Sequence, residues 1–341
     1  MTPYRTAVAA AGLAFAFMSI GPATAAPAAP AARYRVVDRI AGPDGGWDYA
    51  AVDARNNRVL VGRGGDVMAV DLATRAVTAS FAKGDGIHQA LPINGGDQVL
   101  ITNGRANTVT IADGKTGAIL ATIPAGKNPD AAAFDPFTGL VLAMNHTGGD
   151  ITLIDPKARR SVGTVQVGGE LEAAAFDGAG RAYVNVEDKG EIAVVDIKAA
   201  KVVARYKVDG CEGPTGIAYA PADKLLITAC DGVAQVVSAA TGKLVKSIKI
   251  GEGADGVAFD VARKLAFVPS GGTGTLSVIS IAGGTATLVD TVATQTRART
   301  IGLDQRTGRV YLPTAKSGPV PAAGGRPPMV PGTFELLVVG K

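Results

Sequence analysis

Two cysteines, two histidines and one tryptophan are all that this 341-residue chain contains of those residue types. Two cysteines cannot staple a chain of this length, which excludes a disulfide-held miniprotein. Two histidines limit any His-based catalytic or metal centre. Aromatics are 5% and charged residues only 19%, while 47% of the chain is apolar. That balance excludes a disordered protein. The 45 glycines follow no three-residue period, which excludes collagen. The formal charge of +4, from 34 basic and 30 acidic residues, is too small and too scattered for a dedicated nucleic-acid surface. HExxH, CxxCH, P-loop, nucleophile-elbow and DGxGxD-like calcium motifs are all missing. Beyond the N-terminus no segment reaches the ~18 apolar residues of a membrane span, and none has the period of a long amphipathic helix.

The N-terminus reads as a secretory signal peptide over residues 1–25. Arg5 supplies the positive start, Thr6 to Ile20 an apolar run, and Ala23-Thr24-Ala25 a small-x-small cleavage site. The run is too short to cross ~30 Å of hydrocarbon, and no Cys follows it for a lipid anchor. The reading therefore predicts a periplasmic or secreted protein. Residues 26–33 follow as a flexible Ala/Pro segment, and residues 34–341 form the folded domain.

Self-similarity dominates that domain. One block of about sixteen residues recurs seven times, starting at Asp48, His88, Asp130, Glu172, Thr215, Asp255 and Arg299. The starts are 40, 42, 42, 43, 40 and 44 residues apart. Each block reads as two short strands around an Asp/Gly/Pro/Asn turn, the first rich in Ala and Gly, the second in Val, Leu, Ile and Tyr. Two further alternating strands follow, such as Thr108 to Ala112 and Ile119 to Ile123. Four strands per repeat and seven repeats predict an all-β, seven-bladed β-propeller of four-stranded antiparallel blades. The seventh repeat runs out of chain after Phe334 to Val339. Arg35 to Ile40 resembles the missing fourth strand, so the last blade is expected to be closed by the N-terminal strand, removing free edges.

The second strands LITN (100–103), LAMN (142–145) and YVNV (183–186) resemble the YVTN motif of YVTN-type β-propeller repeat proteins, the exported YncE-like family. The piece at 107–126 resembles that family's repeat nearly throughout, whereas LVGR (60–63), LITA (226–229), FVPS (267–270) and YLPT (311–314) depart from its Asn. The resemblance implies a non-enzymatic binding role. A more distant similarity to propeller lactonases implies, as the competing reading, a metal-dependent lactone hydrolase with His88 and Glu172 as catalytic candidates.

The block starts form a ring at one mouth of the predicted channel. Asp48, His88, Asp130, Glu172, Thr215, Asp255 and Arg299 are polar and varied where a structural repeat needs no variety, which marks a candidate ligand-binding site. Two carboxylates ~8 Å apart repel by about 2 kcal/mol at an effective dielectric near 20, so the four acids call for compensation. Arg299 supplies one positive charge. A divalent cation (Ca²⁺, Mg²⁺ or Zn²⁺) held by Asp48, His88, Asp130, Glu172 or Asp255 would supply more; a hydrated ring with raised pKa values is the alternative. His146, in MNHTGG, falls on the face of His88 and joins the candidates. Trp47 precedes Asp48 and either stacks on a ligand or packs between blades. Cys211 and Cys230 flank a down-then-up hairpin and are expected to form a disulfide. The Pro/Gly-rich stretch from Ser317 to Gly332 interrupts the seventh repeat beside the ring, as an arm over the mouth carrying Arg326 or as a plain surface loop. The expected partner is a polar small molecule or a protein segment, with no nucleic acid, no membrane span and a monomeric state.

Overall fold

The computed structural model describes residues 1–3, 7, 33–321 and 327–341. The signal peptide, its cleavage site and the Ala/Pro segment up to residue 32 lie outside the described residues apart from positions 1–3 and 7; so does Arg326. The chain divides into Met1–Ala32 and Arg33–Lys341, and the second unit carries all 27 strands. Among the described residues there is no α-helix, only single 3-10 turns at Asn94–Gly96 and Glu187–Lys189. None of the described helices is long and apolar enough to cross a membrane.

The local chemistry of the strands follows the repeat. Turns between strands are set by side chains that mimic backbone: Asp113 Oδ1 accepts from the amides of Lys115 and Thr116 at 3.0 and 2.8 Å and from Thr116 Oγ1 at 2.8 Å. Asp135 does the same for Thr138, accepting its amide and hydroxyl at 3.0 and 2.7 Å. Second and third strands are buried on both faces, as at Val141, Leu142, Ala143 and Met144, so they read as continuous apolar runs. Fourth strands alternate, as in Arg160–Gln166, because one face meets solvent. First strands are small because the sheets crowd together there. A Cβ at Gly216 would stand 2.5 Å from the Gly256 carbonyl carbon.

These strands build an all-β propeller with five four-stranded blades and one seven-stranded sheet. The expectation of seven separate four-stranded blades is thereby corrected. The difference lies in the first two repeats. Val77–Ile93 is one 17-residue strand that pairs with Gly64–Asp71 on one side and Gln98–Asn103 on the other. Ile87 sits at the junction, opposite Gly64 and opposite Asn103. Because the connector 82–88 finds backbone partners on both sides, it stays extended despite its Gly-Asp-Gly composition. Only one residue, Arg63, separates Arg58–Gly62 from Gly64–Asp71, and this lets the pairing run on to Gly64. In the sheet that joins the two ends of the domain, Arg35–Ala41 pairs with Glu335–Gly340, with Val36 opposite Val339 and Ile40 opposite Leu336.

Candidate functional site at the mouth of the central cavity

The first strands surround a central cavity of about 150 Å³ lined by Ala50, Gln89, Ala131, Ala173, Gly216 and Asp255, with Tyr49 projecting into it. Ligand pockets for molecules of drug size are ~300 Å³ or more. The cavity is too small for such a guest, so any larger ligand must sit at the mouth.

Neighbouring repeats are tied together at that mouth through backbone carbonyls. Thr102 Oγ1 donates to the Asp130 carbonyl at 2.7 Å, Asn185 Nδ2 to the Thr215 carbonyl at 2.8 Å, and Thr300 Oγ1 to the Asp48 carbonyl at 2.7 Å. These bonds fix the ring's backbone, and its side chains then form three linked groups. His88 Nδ1 lies 2.8 Å from Asp48 Oδ2 and 3.1 Å from Asp130 Oδ1, with its Nε2 facing Asn128 Oδ1 at 3.3 Å. Arg299 Nε donates to Asp255 Oδ2 at 2.5 Å, and its terminal nitrogen approaches Asp48 Oδ1 at 3.5 Å. His146 Nδ1 lies 3.1 Å from Glu172 Oε1 and 3.1 Å from the Leu171 carbonyl. Tyr49 joins the last group from across the ring, donating its hydroxyl to Glu172 Oε2 at 3.2 Å.

Burial and charge together set the protonation of the site. Burial pushes the Tyr49 phenol well above its usual range, and the charges of Glu172, Asp130, Asp255 and Asp48 add to this, so it acts as a neutral donor. Burial opposes the His88 imidazolium, but its hydrogen bond to Asp48 and the charge of Asp130 outweigh it and hold His88 above its ordinary value. Asp130 is raised by burial, against the pull of His88. His146 is pushed up to about 9, first by its bond to Glu172 and against burial. Burial lifts Asp255 to about 6 even though Arg299 pulls the other way. Burial also lifts Glu187, beside Glu172, to about 6. The ring therefore sets three cations, His88, His146 and Arg299, against the carboxyl groups of Asp48, Asp130, Glu172 and Asp255, of which Asp130, raised to about 7, is only partly ionised at neutral pH. Much of the compensation that the sequence assigned to a bound cation is supplied by imidazolium. With Glu187 counted, five carboxyl groups face three cations.

The structure thus brings Asp48, His88, Asp130, His146, Glu172, Asp255 and Arg299 to one mouth. Their side chains retain between 9% and 29% of their full exposure. Thr215 is placed differently, because its hydroxyl donates to the Ala254 carbonyl at 3.2 Å. Trp47 packs on Phe334, with ring centroids 5.4 Å apart, under the Arg297 guanidinium at 4.8 Å. It joins the apolar cluster of Ile40, Met68 and Phe334 rather than presenting a free face to a ligand. The Cys211–Cys230 disulfide is present, with Cα atoms 5.3 Å apart. The described part of the Pro/Gly-rich loop lies at the same mouth. Ser317 and Pro327 border a cleft of about 290 Å³ with Arg297 and Arg299, and the Gly318 amide donates to the Pro328 carbonyl at 2.8 Å.

Sequence reasoning missed Tyr49, Asn128 and Glu187. Tyr49 had a visible signal. The second block position reads Tyr49, Gln89, Ala131, Ala173, Gly216, Gly256 and Thr300, and a single large ring among small residues is what a cavity with room for one side chain would carry. Asn128 and Glu187 lie outside the repeated block and had none.

No protein-family model and no curated protein matches the chain. Solved structures do match. One chain in a crystal structure of the mitotic checkpoint complex superposes with a TM-score of 0.74 at 14% identity, covering 97% of this chain and 99% of that one. A chain of the Kuenenia stuttgartiensis hydrazine synthase superposes with a TM-score of 0.70 at 14% identity, covering 78% of this chain and 92% of its own length. The chain has a β-propeller fold. Identities this low speak to fold alone. The comparisons give no support to the YVTN assignment in particular or to the lactone-hydrolase reading.

Proposed function

We propose that this protein is an exported binding module that recognises a positively charged polar ligand, without covalent chemistry, at the charged mouth of its central cavity. One observation carries the reading. Asp48, Asp130, Glu172 and Asp255 converge around a neutral Tyr49, fixed by imidazole, guanidinium and inter-repeat backbone bonds, yet stay partly exposed. Such preorganisation lowers the ordering cost of binding. The excess of carboxylate over cation favours a ligand that brings positive charge and hydrogen-bond donors. The small cavity behind the ring favours engagement at the surface over engulfment. Export is supported by the N-terminal pattern of residues 1–25 and by the disulfide, which forms and persists in oxidising compartments.

The test is calorimetric titration of spermidine, as a representative organic cation, into the wild type and into Asp48→Asn/Glu172→Gln at two salt concentrations. The expected result is saturable binding by the wild type, weakened at least tenfold in the double variant and weakened by salt. Equal binding by both proteins, or none by either, contradicts this placement of the site. Sequencing the N-terminus of protein recovered from outside the cytoplasm tests export; a first residue near Ala26 is expected.

A further inference from the structure

We propose that Asp48, His88 and Asp130 form a three-ligand site for one divalent transition-metal ion of the Zn²⁺ class, a proposal that rests on the mouth being the binding site. Single atoms from these residues all lie within 4.8 Å of one another. Around His88 Nδ1 the spacings are 2.8 Å to Asp48 Oδ2 and 3.1 Å to Asp130 Oδ1. Donors bound at ~2.0–2.1 Å in a tetrahedron stand ~3.3 Å apart. Both spacings to His88 are close to that value, and the two carboxylate oxygens lie within 4.8 Å of each other. One imidazole and two carboxylates suit Zn²⁺ better than Ca²⁺, which prefers six or more oxygens.

Two further observations single out this trio. Asp130 Oδ1 is a buried oxygen that accepts no hydrogen bond, although His88 Nδ1 is close by. Its contact with the His88 ring is an ion pair at 3.1 Å without hydrogen-bond geometry, and a metal ion between the two would give this buried oxygen a direct partner. The second observation is the orientation of the imidazole. Asn128 Oδ1 faces His88 Nε2 at 3.3 Å, and an acceptor there keeps a proton on Nε2, so a metal ion that displaces the other proton of the imidazolium frees Nδ1. The Nδ1 lone pair is then aimed at the two carboxylates, which is how outer partners hold a metal-bound histidine. Arg299, reaching Asp48 Oδ1 at 3.5 Å, orients the second carboxylate.

Asp130, His146 and Glu172 also lie within 4.8 Å of one another but fit less well. His146 Nδ1 faces the Leu171 carbonyl, which demands a proton on that nitrogen, and Glu172 Oε2 is engaged by Tyr49. Asp255, a metal candidate from sequence, is committed to Arg299. Three protein ligands would leave a fourth position open to water or to a donor atom of a ligand at the mouth.

The experiment is titration of ZnCl₂ into chelator-treated mature protein at pH 7.5, with CaCl₂ and MgCl₂ in parallel. The expected result is one Zn²⁺ per chain with no comparable Ca²⁺ or Mg²⁺ binding. Affinity should fall at least a hundredfold in His88→Ala and in Asp130→Asn, tenfold to a hundredfold in Asn128→Leu, and change less than tenfold in His146→Ala. Far-ultraviolet dichroism and thermal melts verify that each variant is folded. Absence of Zn²⁺ binding, or binding that survives His88→Ala and Asp130→Asn, overturns the proposal, as does equal loss in His146→Ala. If Zn²⁺ fails to bind while spermidine still does, the metal site is wrong and the mouth as a binding site stands.

Discussion

Replacing His146 by Gln should remove a specific part of the pH dependence of stability. In the folded chain His146 is pushed up to about 9 from its ordinary 6.5, mainly by its bond to Glu172. The folded state therefore holds a proton that the unfolded chain has already released between these values. Its contribution is fully present below pH 6.5 and is lost as the pH rises through about 9. A rise of this size corresponds to about 3 kcal/mol at ~1.36 kcal/mol for each tenfold change. Solvent at the mouth screens part of that, which leaves about 1–2 kcal/mol. The assay is urea unfolding of the wild type and His146→Gln at pH 6, 7.5 and 9. The wild type should be the more stable at pH 6, and the gap between the two should shrink by about 1–2 kcal/mol by pH 9. A gap that stays constant across this range would refute the claim that His146 is held protonated by Glu172.

Three further outcomes follow from the same geometry. Tyr49→Phe leaves the buried Glu172 without its phenolic donor and should cost about 1.5–3 kcal/mol by denaturant unfolding; a cost near zero would mean that the bond does not form. Cys211→Ser/Cys230→Ser opens a loop between positions 19 apart and should lower stability by ~3 kcal/mol, matched by the effect of reductant on the wild type. Gly216→Ala places a Cβ 2.5 Å from the backbone of Gly256 and should destabilise by at least ~2 kcal/mol or prevent folding, seen as a lowered melting temperature or loss of soluble protein.

The repeat, the strand pattern and the turns were legible because each rests on local chemistry: period-two alternation, small residues where sheets crowd, and Asp side chains closing turns. The Cys211–Cys230 pair was legible for a related reason, since a hairpin returns its ends to the same side. The merging of the first two repeats was not. The segment 82–88 carries two glycines and an aspartate, and composition alone marks it as a turn. Its extension depends on partners at Gly64 and Asn103, one of them from the next repeat. At the mouth, the repeat register identified which positions face one another. It did not reveal that Tyr49 reaches Glu172 across 123 residues of sequence, nor that both imidazoles lie between carboxyl groups of the ring. Pairing and protonation are set by distances in the folded state, which a register does not contain. Trp47 was open between stacking on a ligand and packing, and the Phe334 ring it packs on lies nearly three hundred residues away, beyond any local pattern.

The most direct test of the central claim is chemical-shift mapping of ¹⁵N-labelled mature protein titrated with spermidine. The account predicts perturbations concentrated at residues 48–49, 88, 128–130, 146, 172, 255 and 299. Perturbations centred elsewhere, such as the groove beside the exposed Phe137 and Val162, or no saturable change at all, would contradict it.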